Sequence, residues 1–449
     1  MTSRSRRRSA ALHARRAALA AALCIFIAAG SARANPYELF GFTPRSVGLA
    51  SANVALGDDL AGSFYNPAGM IGHHKSEFGI GFDYTRMMLH IDRTSAASTI
   101  KNGYNDDAPR FELALIFPLG GALLKDRVVI GLNLGHPMGS LIRVQTLDQS
   151  RPQFYLYQSK PQRFATSASI GIKVMNGLSI GFGAQVIAEQ VGSVKFQVDL
   201  AARKFVQREI TINLNTIPEP IAGILVEPND WLKFGFSWRK SAQLYYAQPT
   251  DINLGDLGDL QLNVQGIAQY WPHVFSLGTT LKPLTRWMFS FQVDYLLWSK
   301  APRDQVNVAI EPSGAVLSGL GLDAVLGFGS NDAAPGFSNI LIPRFGVEYT
   351  ASDWVTLRGG LSARPAITPD QVGTTNYLDN FTETIAGGVT FKFKDLLQVF
   401  PDPVSLDLGG SLMIANNRTN VKRQTVDPTG GASFGGTLLT MGAMLRYLY

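Results

Sequence analysis

Leu232 to Trp238 reads LKFGFSW, and it is this alternation that decides the fold. Successive side chains of a strand point to opposite faces, so Leu232, Phe234, Phe236 and Trp238 share one face while Lys233, Gly235 and Ser237 share the other. Met288 to Trp298 (MFSFQVDYLLW) repeats the pattern, with Phe289, Phe291, Val293, Tyr295 and Leu297 opposite Ser290, Gln292 and Asp294. Val355 to Ser362 sets Val355, Leu357 and Leu361 against Thr356, Arg358 and Ser362. Alternation of this kind fits two architectures. In a soluble sandwich the apolar face points to the core, whereas in a membrane barrel it points to lipid and the polar face lines the lumen.

The N-terminus favours the barrel. Met1 to Arg16 holds six arginines and no acid, and an apolar run from Ala17 to Ala29 follows it. That run is shorter than the roughly 20 residues of a spanning helix, and Ala32-Arg33-Ala34 is a small-x-small cleavage pattern. Residues 1–34 are therefore expected to be a signal peptide, with the mature chain starting at Asn35. The only cysteine, Cys24, lies inside the run and follows Leu23 rather than a small residue, which disfavours a lipoprotein. A mature chain without cysteine depends on packing and on a complete hydrogen-bond ladder. Processing also removes the basic character. Seven of the 40 Lys and Arg residues lie in the leader, so 33 bases face 34 acids and the formal charge becomes −1. Nothing in that balance calls for nucleic acid.

Fourteen alternating segments follow, at approximately 77–92, 111–118, 128–135, 163–174, 178–199, 209–226, 232–246, 260–282, 287–299, 340–350, 354–364, 382–394, 404–415 and 435–449. Brief connections such as Met175-Asn176-Gly177, 227–231, 283–286 and 351–353 separate longer ones near 136–162, 247–259, 300–339 and 416–434, the rhythm of short periplasmic turns and long outer loops. Asn176-Gly177 predicts a hairpin with a type I′ turn. The chain ends MLRYLY, an alternating strand with aromatic residues for the membrane interface, and such a strand is what the barrel-assembly machinery would meet. The expectation is an all-β chain: a 14-stranded antiparallel transmembrane barrel over 77–449, with residues 35–76 as an N-terminal hatch, or plug, in its lumen.

Ser46 to Met70 reads SVGLASANVALGDDLAGSFYNPAGM. Small residues, an Asp-Asp pair and then Asn66-Pro67-Ala68-Gly69 resemble the hatch signature of the FadL/TodX family of outer-membrane transporters. VVIGLNLGHPMG (128–139), WLKFGFSWRKS (231–241), Trp271-Pro272 with 275–282, and FQVDYLLWS (291–299) resemble later strands of that family, in its order. The resemblance implies a hatch-plugged fourteen-stranded barrel in the outer membrane of a Gram-negative bacterium, surrounded by lipid and lipopolysaccharide. It also implies a hydrophobic groove among outer loops and a kink in the third strand that opens sideways. Passive uptake of hydrophobic compounds follows from the resemblance, with long-chain fatty acids as the first expectation and aromatic or alkane hydrocarbons as the alternative. Moving a methylene out of water is worth roughly 0.8 kcal/mol, so a graded apolar route needs no energy source.

The candidate residues each have a plainer reading. Asn66, Pro67, Ala68 and Gly69 form either the hatch element or an ordinary turn. Asp58 and Asp59 are either a solvated pair or partners of lumenal arginines. Gly131, Gly135 and Pro137 are candidates for the lateral-opening kink, since Gly admits a bulge and Pro removes a ladder donor; the alternative is close packing against the hatch. Lys173, Arg239, Arg344 and Arg358 fall on the lumenal face, as head-group contacts for a ligand or as counter-charges to Asp294, Glu348 and Asp407. His73-His74 has too few companions for a metal, and neither a metal nor a cofactor is expected. No spaced Ser-His-Asp pattern supports an enzyme, so no catalytic residue is assigned. Two rivals remain: a barrel that serves as a docking platform for secreted proteins, and a polar porin, which a 42-residue hatch would obstruct. The chain is expected to act as a monomer.

Overall fold

The computed structural model describes residues 37–93, 107–121, 124–138, 152–157, 165–199, 204–254, 258–302, 307–319, 321, 326–329, 336–373, 375–395, 402–422 and 431–448. The expected leader and the terminal Tyr449 lie outside the described residues. Fourteen strands form the barrel: β1 Glu77–Arg93, β2 Ala108–Pro118, β3 Val128–Pro137, β4 Ala165–Met175, β5 Leu178–Asp199, β6 Lys204–Asn229 and β7 Leu232–Arg239 make one half. The other half is β8 Val274–Leu284, β9 Trp287–Leu296, β10 Ile340–Ser352, β11 Val355–Arg364, β12 Thr382–Phe393, β13 Val404–Asn420 and β14 Ala432–Leu448. Each pairs antiparallel with the next, and β14 pairs with β1 from Glu77↔Leu448 to Arg93↔Ala432, which closes the ring. Closure leaves no open edge, the condition for exposing strands to lipid.

Exposure settles which way the alternation faces. On β9, Phe291, Val293 and Tyr295 are 45, 45 and 38% exposed, while Ser290, Gln292 and Asp294 are 1, 5 and 5% exposed. A sandwich core would reverse that order, so the apolar face meets lipid and the polar face meets the lumen. Trp231, Trp287 and Trp354 stand exposed beside three of the short turns, and Trp287 packs on Tyr349 at 4.5 Å between ring centres. Aromatic residues placed there form the interfacial belt of a membrane protein.

Three local expectations change. The Asn176-Gly177 hairpin forms, but only Gly177 has positive φ (78°), and the register slips between Lys173 and Met175. One extra residue on β4 thus takes up the twist that a type I′ turn would have supplied. The segments expected as single strands at 232–246 and 260–282 break at Lys240-Ser241 and at Pro272-His273. Pro272 has no N–H for a ladder. Beyond the breaks, Ala242–Asn253 and Asp259–Trp271 leave the barrel and pair with each other, and the first also runs parallel to Gln190–Gln197 of β5. The 300–339 connection, expected to be a loop, contributes Asn307–Ser313 and Leu326–Gly329 to this outer sheet.

Ahead of β1 the chain folds inside the barrel as α1 (Tyr37–Phe40), α2 (Pro44–Gly48), α3 (Gly62–Tyr65) and a 3-10 turn at Pro67–Gly72. Thr43 caps α2 by accepting from Ser46 N, and Pro44 follows at the first helical position, where its missing N–H costs nothing. The barrel wall is cut away to receive this hatch. Gly171, Gly181 and Gly223 stand side by side on β4, β5 and β6, as do Gly388, Gly409 and Gly442 on β12, β13 and β14. A Cβ on Gly181 would overlap Ala68 N, one on Gly223 would overlap Asn66 Oδ1, and one on Gly409 would overlap Pro44 O. Glycine serves here by leaving room for another backbone.

Candidate ligand site

The hatch is held by its own polar atoms. Asn66 Oδ1 accepts from Ala68 N at 3.1 Å, and Asn66 Nδ2 donates to Val54 O at 2.7 Å and to Ile224 O on β6 at 3.1 Å. One side chain therefore closes the 3-10 turn, joins two parts of the hatch and ties it to the wall. Pro67 and Ala68 lie against Gly171 and Gly181, and Gly69 against Leu56 O. The inward row of β9 does the same on the far side, where Val54 N donates to Gln292 Oε1 at 2.8 Å and Ser290 Oγ donates to Ala52 O.

Asp58 and Asp59 separate in role. Arg45 Nη1 lies 3.3 Å from Asp58, and that guanidinium holds the Asp58 carboxyl well below the usual carboxylate range. Asp59 accepts from Ala61 N at 2.8 Å, and burial pushes its carboxyl up. Arg45 also forks onto Glu348 of β10 with two bonds of 2.9 Å, fastening the hatch to the barrel.

Above the hatch, on the long-loop side, lies a pocket whose walls are Leu39, Leu156, Trp271, Val274, Leu296, Trp298, Ile340 and Ile342. Its floor is polar: Ser51, Tyr65, Arg239, Gln292, Asp294 and Arg344, with Arg364 to one side. Two of the three guanidinium groups are paired with carboxylates, and the third lies on a ring. Arg344 donates to Asp294 at 2.6 Å and to Ala50 O at 3.0 Å; Arg364 donates to Asp379 twice at 2.8 Å; Arg239 stacks on the Phe64 ring at 4.7 Å. The cavity measures about 40 Å³, against the ~300 Å³ or more of an ordinary small-molecule site, so the pocket as it stands is too small for such a ligand.

A lid closes it. Gln153–Phe154, from the β3–β4 connection, pairs in parallel with Tyr377–Leu378, from the β11–β12 connection. Gln153 N donates to Asn376 O and Tyr155 N to Leu378 O, both at 3.1 Å. Beneath them Phe154, Leu156, Tyr157, Trp298, Phe337 and Phe434 form one apolar core. Tyr155 packs edge-on against Phe337 at 4.6 Å and Tyr377 at 5.4 Å. Arg364 anchors the layer, since it also donates to Tyr157 Oη and Thr382 Oγ1 at 2.9 Å each, while Ile367 N donates to Asp379 at 2.8 Å. Removing the cation would strand a fully buried carboxylate. Arg364→Ala is expected to destabilise the lid by about 3–5 kcal/mol, and faster hydrogen exchange across 152–157 and 365–380, with the barrel strands unchanged, is the measurement that checks it.

The four candidate cations divide. Arg239 and Arg344 line the pocket, whereas Arg358 lies below the hatch, paired with Glu348 and with Asp407 at 3.4 Å. Lys173 sits at the short-turn end of β4, outside the pocket lining. Gly131 packs against Met70 and Ser63 of the hatch, and the ladders of β3 run through Gly131 and Gly135 without a register shift; Pro137 pairs with Arg110. Sequence reasoning missed Arg364, Asp379 and Tyr157. Arg364 continues the inward row of Arg358, Gly360 and Ser362, a signal that was present; its loop partners carry none.

The fold and this closed apolar pocket define a plugged outer-membrane transport barrel, a class of channels rather than enzymes. Residues 25–443 match the family described as outer membrane protein transport protein (OMPP1/FadL/TodX), and the chain belongs to that family. A curated relative, alkane uptake protein A of Marinobacter nauticus, is 21% identical over 398 residues, covering 82% of this chain and 81% of its own. Among solved structures, a Pseudomonas aeruginosa FadL homologue superposes with a TM-score of 0.58 at 13% identity, over 90% of this chain and 98% of that one. The Pseudomonas putida toluene transporter TodX gives 0.58 at 12% identity, over 92% and 99%.

Proposed function

We propose that the protein is a passive channel for neutral hydrocarbons, alkanes or monoaromatics, which enter through the lid into the pocket above the hatch. The observation that carries this reading is the pairing of the floor: Arg344 has Asp294 and Arg364 has Asp379, so neither of these guanidinium groups waits for a carboxylate. The apolar walls offer only area, which suits a ligand without charge. The names of the similar proteins, an alkane uptake protein and a toluene transporter, support the same class. A long-chain fatty acid is the second reading, favoured by the position of Arg239 and Arg344 beneath an apolar wall; its carboxylate must then take the place of Asp294 on Arg344.

Release sideways into the membrane beside β3 is part of the proposal. Gly135 with Ala165 is the last described pair of the β3–β4 ladder, and the buried Asn133 side chain next to it makes no hydrogen bond among the described residues. The β14 strand is the segment that assembly machinery would read, lipid and lipopolysaccharide form the surroundings, and a single chain suffices.

The test is competition on detergent-folded protein. Toluene and a medium-chain alkane are expected to bind saturably, with dissociation constants that do not respond to salt and change less than about twofold in Arg344→Gln. A fluorescent fatty acid that binds tighter than both, and weakens at least about tenfold in that variant, would transfer the assignment to fatty acids.

A further inference from the structure

Beneath the hatch, on the periplasmic side, the barrel encloses a second cavity of about 310 Å³, several times larger than the ligand pocket and of opposite character. Arg45, Lys282, Arg286, Arg358, Lys392 and Arg446 face it. The carboxylates are fewer: Asp58, Glu77 and Glu348 line the cavity, and Asp407 stands behind, bound to Arg358 and Arg446. Among the described side chains, six cations against four carboxylates leave an excess of two positive charges. The ion pairs show where that excess lies. Arg45 is matched by Asp58 and Glu348, Arg358 by Glu348 and Asp407, and Arg446 by Glu77 at 2.7 Å and by Asp407. Lys282 lies at 3.9 Å from Asp58, the limit of an ion pair. Arg286, on the β8–β9 turn, and Lys392, near the end of β12, have no side-chain partner among the described residues. Thr285, Thr350, Thr356 and Ser405 add hydroxyl groups to the lining, the Thr390 hydroxyl is held by Asp407, and Trp287, Met288 and Leu448 supply its apolar part.

We propose that this vestibule is a phosphate-binding site. A guanidinium and an ammonium, neither with a side-chain partner among the described residues, line one cavity together with several hydroxyl groups, and the cavity is large enough for a small ligand. Two uncompensated charges match a doubly charged oxyanion, and charge-assisted bonds from Arg and Lys are the strongest that an exposed site of this kind makes. The ion pairs of Arg45, Arg358 and Arg446 fix the ceiling. The phosphate comes either from an anionic phospholipid head group of the periplasmic leaflet or from a soluble phosphate compound. The site is independent of the uptake reading, since it lies on the other side of the hatch.

Two arms test it on the mature protein. Calorimetric titration with inorganic phosphate in a nonionic detergent examines the soluble source. Native mass spectrometry from nanodiscs containing phosphatidic acid, with phosphatidylcholine as the comparison, examines the lipid source. Saturable binding in either arm, weakened about tenfold in R286Q/K392Q and unchanged in K125Q on the distant β2–β3 turn, supports the site and names the source. No saturable binding in either arm, or an equal loss in K125Q, overturns it. Both altered residues are exposed and outside the ion-pair network, so the variant barrel is expected to fold.

Discussion

Gln153→Cys/Tyr377→Cys protein is expected to lose hydrocarbon uptake by more than about tenfold under oxidising conditions and to regain it on reduction. The two residues are register partners in the parallel pair that closes the mouth. Directly paired strand residues place their Cα atoms within the roughly 4.4–6.8 Å that a disulfide spans. The mature chain has no cysteine of its own, because Cys24 lies in the expected leader, so the engineered bond would have no competitor. The size of the effect follows from the cavity. With the lid docked the pocket holds about 40 Å³, and no alkane or aromatic ring fits there until the 152–157 segment moves away. Two backbone bonds and the ring contacts of Tyr155 hold the docked segment against its conformational entropy. A crosslinked protein that still imports toluene at the parent rate would show that ligand reaches the pocket by some path other than the lid. Uptake should be measured in whole cells, with thiol titration confirming the crosslink.

The barrel was legible because lipid makes the strand pattern simple. Ser290, Gln292 and Asp294 opposite Phe291, Val293 and Tyr295 gave a period of two, and the leader and the loop rhythm supplied the direction that alternation lacks. The breaks at Lys240-Ser241 and Pro272-His273 were less legible. Alternation continues across them, while the pairing partner changes from the barrel to the outer sheet, and partner identity is a non-local property. The same limit applies at the pocket. Arg239, Arg344 and Arg358 were visible on the inward rows, but whether each lies above or below the hatch depends on the depth of a segment with no period of its own. The lid is the extreme case. Phe154, Tyr157, Tyr377 and Asp379 come from two loops more than 200 residues apart in the chain, joined by the parallel pair of Gln153–Phe154 with Tyr377–Leu378 and by the Arg364 fork onto Tyr157 and Asp379. Asn66 was found by resemblance, and its three hydrogen bonds supply the physical reason that position needs an amide: Oδ1 accepts while Nδ2 donates to two carbonyls.

Gly223→Val/Gly235→Val is expected to turn a sealed barrel into a leaking one. At Gly223 a Cβ would overlap the Asn66 amide oxygen, and at Gly235 it would overlap Val54 O, so each change strikes the hatch rather than a neighbouring strand. Over-packing a filled interior costs about 1–3 kcal/mol per site, and here the obstacle at Gly235 is backbone, which cannot turn aside as a side chain can. The two changes also act on one connection, because Asn66 donates to Val54 O and to Ile224 O beside Gly223. The barrel ladder itself makes no use of the missing Cβ atoms, and valine is favoured in strands. The hatch should therefore give way before the barrel does. Planar-bilayer conductance should rise from near closure to stable open steps, protease should cut within 37–72, and heat-modifiable mobility should remain that of a folded barrel. Loss of the folded band would instead mean that the hatch is needed for barrel assembly. The conductance reading would then have to come from the milder G223A/G235A, in which the smaller side chain still meets Asn66 and Val54. A folded double valine variant with no conductance and no cleavage would show that the hatch moves as a unit within the lumen, and that the glycine wall fits it without fixing it.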